Sequence, residues 1–303
     1  MKKVFISTTS FGEDNPSVLK ALNHAKIKVV LNPYSRRLTE DEIINVLVKG
    51  GYEGLLAGLE PLTQKVFAKA NRLKVISRVG VGLDNVDQEA ARLSGIKVFN
   101  TPGVLTDAVA ELTLGLILSV LRRLSLSDRR MHQGQWEKHM GALLKGKTLG
   151  IIGMGDIGKQ VATLGLAFKA TVIFADVRAV KNTGAKQVSL QQLFKDADII
   201  SLHCSGKTPL IGGKEITLLK KGAIIINTAR GSLIDEKALI KGLSSGKIAG
   251  AGLDVFEQEP YQGLLSSMDQ VVLTPHIGSY AKEARIMMEK MAVDNLLKGL
   301  KGT

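Results

Sequence analysis

Leu149-Gly150-Ile151-Ile152-Gly153-Met154-Gly155-Asp156-Ile157-Gly158 is a short apolar run that feeds a G-x-G-x-x-G turn. A helix-forming stretch follows, then a second β-branched run, Thr171-Val172-Ile173-Phe174-Ala175, closed by Asp176. In this order each glycine has a task. Gly153 permits the tight strand-to-helix turn, Gly155 lets backbone approach a diphosphate, and Gly158 lets helix pack closely on strand. The helix start at Asp156 and Ile157 then turns free N–H groups and a partial positive charge toward the phosphates. Asp176 stands 18 positions after Gly158, near the spacing expected of a carboxylate that grips ribose hydroxyls. A glycine turn serving only an α/β scaffold is the plainer alternative. The complete series of strand, turn, helix, strand and acid favours a dinucleotide site.

The rest of the chain is consistent with a scaffold of that size. With 303 residues, two domains are expected, each able to bury its own core. A 45% hydrophobic content fits a globular protein, and 32 glycines without a three-residue period exclude a collagen-like chain. Cys204 is the only cysteine, so no disulfide framework exists and a reducing cytoplasm is the expected location. Met1-Lys2-Lys3-Val4-Phe5-Ile6 starts like a signal peptide but breaks into Ser7-Thr8-Thr9-Ser10, which reads as a first strand. The most apolar stretch, Leu112 to Leu121, is ten residues long, too short to span a bilayer. The formal charge of +13 is spread over many lysines, and aromatic residues make up only 4%. That pattern reads as a solvated surface that attracts anionic ligands; neither a nucleic-acid nor a membrane partner is expected.

Organisation follows from alternation. Val4–Ile6, Lys28–Leu31, Gly54–Ala57, Lys74–Ile76 and Lys97–Phe99 are short apolar runs separated by helical patterns, with a capping box at Thr39 and Glu42. A long apolar helix is expected from Thr106 to Leu124. From Gly146 the alternation restarts, with six strand candidates at Leu149–Gly153, Val172–Asp176, Asp198–His203, Ala223–Asn227, Ala249–Asp254 and Val271–Thr274. A last helix, Ala281 to Leu300, is expected to return to the first domain. The expectation is therefore α/β with two doubly wound parallel sheets and a cleft between them. One domain comprises residues 1–100 and 279–303, the other 101–278.

In such sheets ligands bind beyond the carboxyl ends of strands, so polar residues there are the candidates for chemistry. Ile224-Ile225-Ile226 leads into Asn227-Thr228-Ala229-Arg230-Gly231, and the next strand into Asp254-Val255-Phe256-Glu257-Gln258-Glu259-Pro260. Val271-Val272-Leu273 leads into Thr274-Pro275-His276-Ile277-Gly278-Ser279. An Arg can bind a carboxylate bidentately, a His can exchange the hydroxyl proton of a 2-hydroxy acid, and a carboxylate can fix the imidazole tautomer. Taken singly, His276 reads as a structural histidine, Arg230 as a surface ion pair and Glu259 as a solvated loop acid. Their joint placement at strand ends favours catalysis. His203 has a cofactor-side reading and a structural one, Cys204 carries no assigned chemistry, and His132 and His139 lack metal-ligand spacing.

These segments, with Arg78-Val79-Gly80-Val81-Gly82-Leu83-Asp84-Asn85-Val86-Asp87, Asn100-Thr101-Pro102-Gly103 and Val109-Ala110-Glu111, resemble the D-isomer-specific 2-hydroxyacid dehydrogenases over nearly the whole chain. The resemblance implies a Rossmann NAD-binding domain beside a flavodoxin-like substrate domain. It implies Arg230, Glu259 and His276 as the catalytic triad, Glu259 rather than Glu257 being the acid that matches. It implies cofactor contacts at Gly153, Gly155, Asp156, Ile157, Gly158, Asp176, Thr228, Ala229, Asp254, Gly278 and Ser279. Substrate contacts are implied at Arg78, Val79, Gly80, Val81 and Gly82, and a homodimer through the long inter-domain helix. Within the family the chain is similar to D-3-phosphoglycerate dehydrogenases and hydroxypyruvate reductases, with Arg78 matching an Arg that phosphoglycerate enzymes direct at the phosphate. Two departures stand out. A second substrate Arg near Leu56-Ala57-Gly58 is missing, and the segment His203-Cys204-Ser205-Gly206-Lys207-Thr208 is shortened and lacks the usual Pro. No appended regulatory domain is expected. Asp176 favours NAD because a carboxylate repels a 2′-phosphate, an effect Arg178 weakens. The expected reaction is NAD-dependent interconversion of D-3-phosphoglycerate and 3-phosphohydroxypyruvate. Alternatives are another small 2-hydroxy or 2-keto acid, such as hydroxypyruvate or glyoxylate, and a non-catalytic NAD sensor similar to the C-terminal-binding-protein corepressors.

Overall fold

The computed structural model describes residues 1–302. It forms two compact units: Met1–Leu105 with the segment from Ser279 onward, and Thr106–Gly278. The first contains β1 (Lys3–Ile6), α1 (Ser17–His24), β2 (Lys28–Leu31), α2 (Glu40–Gly50), β3 (Gly54–Ala57), α3 (Gln64–Lys69), β4 (Val75–Arg78), α4 (Gln88–Leu93) and β5 (Lys97–Phe99). The second contains α5 (Thr106–Arg122), α6 (Leu124–His132), β6 (Thr148–Ile152), α7 (Asp156–Ala167), β7 (Thr171–Ala175), β8 (Lys186–Gln187), α8 (Leu190–Asp196), β9 (Ile199–Leu202) and α9 (Gly213–Leu218). It continues through β10 (Ala223–Asn227), α10 (Glu236–Ser244), β11 (Ile248–Leu253) and β12 (Val271–Leu273). The closing helix α11 (Lys282–Lys301) belongs to the first unit.

The first sheet has the order β2-β1-β3-β4-β5 and the second β12-β11-β10-β9-β6-β7-β8, every strand pairing being parallel. These are the flavodoxin-like and Rossmann orders, the second extended by one edge strand. Alternate side chains of β1 divide between two cores. Phe5 packs with Ile43, Leu47 and Phe67 of α2 and α3, whereas Val4 and Ile6 pack with Met288, Val293 and Leu296 of α11. In the second unit, Leu149, Ile151, Ile224 and Ile226 face Leu116, Ile117 and Leu121 of α5. Ile152, Ile200 and Ile225 face Leu239 and Leu243 of α10 on the other side. Burial on both faces explains why these strands read as continuous apolar runs. The Thr39 cap is formed as expected, Thr39 Oγ1 accepting from Glu42 N at 3.3 Å and Glu42 Oε2 from Thr39 N at 2.8 Å.

Two elements depart from expectation. The helix expected to run from Thr106 to Leu124 stops at Arg122 because Arg123 turns left-handed (φ 52°). The Leu121 carbonyl, which a continuing helix would use, accepts instead from Ala142 N at 2.9 Å. The second sheet has seven strands, not six, because β8 adds an edge of two exposed residues. Lys186 and Gln187 carry no apolar run; their pairing with Ile173 and Phe174 alone makes them a strand.

Candidate active site

The glycine turn is held by close backbone contacts. Gly153 has φ +94°, and a Cβ on it would lie 2.5 Å from the His203 carbonyl oxygen. A Cβ on Gly158 would lie 2.1 Å from the Gly153 carbonyl oxygen, so this helix turn and strand end meet backbone to backbone. Gly155, the extended N-cap of α7, faces open space, with no heavy atom within 4 Å of a built Cβ. A side chain there would fill the passage that a diphosphate needs, so the residues present fit a bound dinucleotide. Ile157, in the first turn of α7, packs its side chain against the α5-side core.

Asp176 follows β7 and is fixed by two backbone donors, Met154 N to Oδ2 at 2.7 Å and Arg178 N to Oδ1 at 2.9 Å. Those bonds, the one from Arg178 foremost, hold its carboxyl below the usual carboxylate range. The glycine turn and the acid are thus one hydrogen-bonded assembly.

Beyond the carboxyl ends of β10, β11 and β12, three segments converge. Asn227, buried, accepts from Ala229 N at 3.0 Å and donates to the Arg230 carbonyl at 2.8 Å, an Asx-type turn that delivers Arg230. Arg230 donates from Nη1 to the Ala229 carbonyl at 2.7 Å. A Cβ on Gly231 would lie 1.9 Å from the Phe256 carbonyl carbon, so this turn touches the segment that carries Glu259. Glu259 Oε1 accepts from Phe256 N at 3.1 Å, and its Oε2 meets His276 Nδ1 at 3.0 Å. His276 adopts a left-handed φ of 55°, and its N–H reaches the Thr274 carbonyl at 3.0 Å. For a residue with a ring this conformation persists only where surroundings enforce it.

Asp254 does the enforcing. Almost fully buried, it accepts on Oδ1 from Thr274 Oγ1 (2.6 Å) and Ile277 N (2.8 Å), and on Oδ2 from Gly278 N (2.9 Å). Its carboxylate therefore clamps the loop on both sides of His276. Thr228 Oγ1 lies 3.0 Å from Thr113 Oγ1, tying the Arg230 turn to α5. His203, whose pKa burial lowers to about 3, is hydrogen-bonded through Nε2 to Ser201 Oγ at 2.7 Å. Burial likewise pushes the Cys204 thiol up.

Arg78, Val79, Gly80, Val81, Gly82 and Ser279 belong to the first unit. Arg78 closes β4 and donates from Nη1 to the Val79 carbonyl. The loop is held by Thr101 N to the Gly80 carbonyl at 3.0 Å and Asn100 Nδ2 to the Val81 carbonyl at 2.7 Å. Beside Arg78 lies Glu60, almost fully buried, with Ser7 Oγ donating to its Oε1 at 2.6 Å. Burial pushes the Glu60 carboxyl up, against the opposing pull of the Ser7 hydroxyl and Arg78. Sequence reasoning assigned no role to Thr113 or Glu60, and none to Asn227 and Thr274 beyond their place in the strand-end motifs. Only Asn227 carried a local signal, an Asn two positions before the Ala229 amide it binds.

An imidazole–carboxylate pair in the same unit as a dinucleotide cradle suits proton exchange coupled to hydride transfer, the chemistry of the NAD-dependent oxidoreductases. Residues 114–278 match the family described as D-isomer specific 2-hydroxyacid dehydrogenase, NAD binding domain. A glyoxylate reductase from Thermococcus litoralis is 43% identical over 260 residues, covering 80% of this chain and 78% of that protein. A D-3-phosphoglycerate dehydrogenase from Methanocaldococcus jannaschii is 37% identical across 100% of this chain, which spans 58% of it. Among solved structures, D-lactate dehydrogenase from Aquifex aeolicus complexed with NAD and lactic acid superposes with a TM-score of 0.86. It shares 30% identity, over 99% of this chain and 96% of that one. The chain belongs to the D-isomer-specific 2-hydroxyacid dehydrogenases, and its cofactor is NAD.

Proposed function

We propose that this enzyme interconverts a short D-2-hydroxy acid and its 2-keto acid, glyoxylate and hydroxypyruvate being the substrate class. The observation that carries the chemistry is the 3.0 Å contact between Glu259 Oε2 and His276 Nδ1, with the other Glu259 oxygen pinned by Phe256 N. Glu259 so held accepts from Nδ1–H and leaves Nε2 to take the hydroxyl proton in oxidation and return it in reduction. Arg230 binds the substrate carboxylate and polarises the reacting oxygen. Bound NAD supplies the hydride acceptor in one direction and the donor in the other. Gly155, Asp156, Ile157 and Gly158 would hold its diphosphate, Asp176 its ribose, and Thr228, Ala229, Gly278 and Ser279 its nicotinamide end. Asp254 serves that end by holding the loop. The backbone N–H groups of Val79, Gly80, Val81 and Gly82 take the substrate carboxylate. On this reading Met1–Leu105 with the segment from Ser279 onward is the substrate domain and Thr106–Gly278 the NAD domain.

The short-substrate reading follows from Arg78, which is turned onto the carbonyl of Val79 and stands beside the buried Glu60. Both neighbours compete with a substrate phosphate for that guanidinium. D-3-phosphoglycerate is the second reading, and the presence of Arg78 at the head of the loop favours it. A homodimer is part of the proposal: Trp136, Met140 and Leu143, after α6, are 79%, 92% and 66% exposed, an apolar surface suited to a second copy. Sedimentation equilibrium tests it. The single cysteine fits a reducing cytoplasm, and among the described residues no helix is long and apolar enough to cross a membrane. The deciding experiment is NADH oxidation with glyoxylate, hydroxypyruvate, pyruvate and 3-phosphohydroxypyruvate. Turnover of the first two above the others supports the proposal, preference for the phosphorylated acid selects the second reading, and no turnover with any leaves an NAD-binding protein without this activity.

A further inference from the structure

The turn that carries Asp176 has little packing to hold it. Val177 is fully exposed, and Arg178 and Ala179 are exposed as well. The sheet offers little backbone pairing there either, since β8 ends at Gln187 and only two of its residues pair with β7. The side chain of Gln187 takes over where the ladder stops. Its Nε2 donates to the Asp176 carbonyl at 3.2 Å and to the Arg178 carbonyl at 2.9 Å, and its Oε1 accepts from Val180 N at 3.2 Å. One amide thus uses both donors and its acceptor to bind three points of a five-residue turn. The same turn supplies the Arg178 N–H that orients the Asp176 carboxylate.

We propose that Gln187 is a positioning residue for cofactor choice: it fixes the 176–180 turn so that Asp176 faces the adenosine ribose of NAD and Arg178 is kept from serving a 2′-phosphate. A Gln is suited to this because a single planar amide presents donor and acceptor together. Glu of the same length would lose both donors and set its charge against two carbonyls. The inference rests on the proposed role of Asp176 at the ribose.

Equilibrium binding of NADH and NADPH by fluorescence titration tests it, on intact protein and without turnover. For Gln187→Leu and Gln187→Glu, the NADH Kd should rise roughly three- to tenfold, the range for losing one neutral hydrogen bond. The NADPH Kd should rise less or fall, so that the preference for NADH shrinks at least about threefold, with kcat at saturating NADH unchanged. Equal factors for both cofactors in a folded variant, or no change in either, overturn the proposal. Should Gln187→Leu fail to fold, Gln187→Glu decides alone, because the position is exposed and the side chain isosteric. Asp176→Asn in the same assay separates the two readings. If it leaves the preference intact, the role of Asp176 is wrong; if it abolishes the preference while the Gln187 variants keep theirs, only the inference about Gln187 fails.

Discussion

The two sheets begin alike, with a buried parallel strand followed by a crossover helix, yet they treat the first turn differently. Between β6 and α7 stand three residues, Gly153, Met154 and Gly155. Between β1 and α1 stand ten, residues 7 to 16, rich in hydroxyls and ending in Pro16. The short turn brings the start of a 12-residue helix to the end of its strand, which is possible because Gly158 lets backbone meet backbone. The long one fills the space with polar chain: Ser7 binds Gly58 N at 2.8 Å and Glu60, and Gly12 N reaches Glu289 Oε2 at 3.0 Å. Parallel topology alone therefore does not bring a helix start to a strand end. A short turn with glycines at the close approaches does, and that is the geometry a diphosphate requires.

The sharpest way to break this contrast is at the strand ends. His276→Asn, in the second unit, should lower kcat by roughly 10²–10⁴-fold while NADH affinity changes only a few-fold, as for the loss of a general acid–base group. Stopped-flow turnover with titrated NADH checks it, and survival of kcat would remove the His276–Glu259 pair from the mechanism. Arg78→Ala, at a strand end of the first unit, should act through KM. On the second reading it costs about 1.5–3 kcal/mol in kcat/KM for 3-phosphohydroxypyruvate and much less for glyoxylate. Equal losses on both acids would make Arg78 a loop-organising residue only.

The turns themselves come next. Gly158→Ala should weaken NADH binding at least about tenfold, since a Cβ would stand 2.1 Å from the Gly153 carbonyl and force the turn apart. Gly12→Ala, at φ +79° in the long loop of the first sheet, should cost about 1–2 kcal/mol of stability and leave NADH affinity alone. Calorimetry on both variants, with and without NADH, separates the two outcomes. Loss of NADH affinity in Gly12→Ala would erase the distinction between the turns.

The smallest effect concerns His203, whose carbonyl backs Gly153 and whose ring burial keeps neutral, with a pKa of about 3 against an ordinary value of about 6.5. The unfolded chain takes up that proton first. The stability that depends on the neutral ring is thus complete above about pH 6.5 and is lost as pH falls toward 3. The slope reaches at most about 1.4 kcal/mol per pH unit. Urea unfolding of wild type and His203→Gln between pH 4 and 7 should give curves that converge toward low pH; parallel curves would mean that His203 titrates normally.

Much of this was legible in the chain. The strands of both cores read as apolar runs because they are buried on two faces, and Thr39 with Glu42 is a cap that four residues complete among themselves. Asp176 could be named from its place after Ala175, and Glu259 and His276 from strand-end position and family resemblance. The identity of their neighbours could not. Family resemblance names Asp254 as a cofactor contact, and only the loop folded around it reveals a clamp with three donors drawn from Thr274, Ile277 and Gly278.

Local order, hydrophobic period and glycine placement are properties of neighbouring residues, so composition and spacing were enough for the apolar strands, the glycine turn, the Thr39 cap and the closing helix. The stop at Arg123, the strand at Lys186–Gln187 and the turn held by Gln187 depend on partners outside the local sequence pattern: Ala142 for the first, β7 for the second and the Gln187 side chain for the third. A hydrogen bond between distant segments leaves no periodic trace in either. Whether Lys186 and Gln187 are loop or strand is decided by what the finished sheet leaves unpaired at its edge, and that edge exists only once the chain has folded.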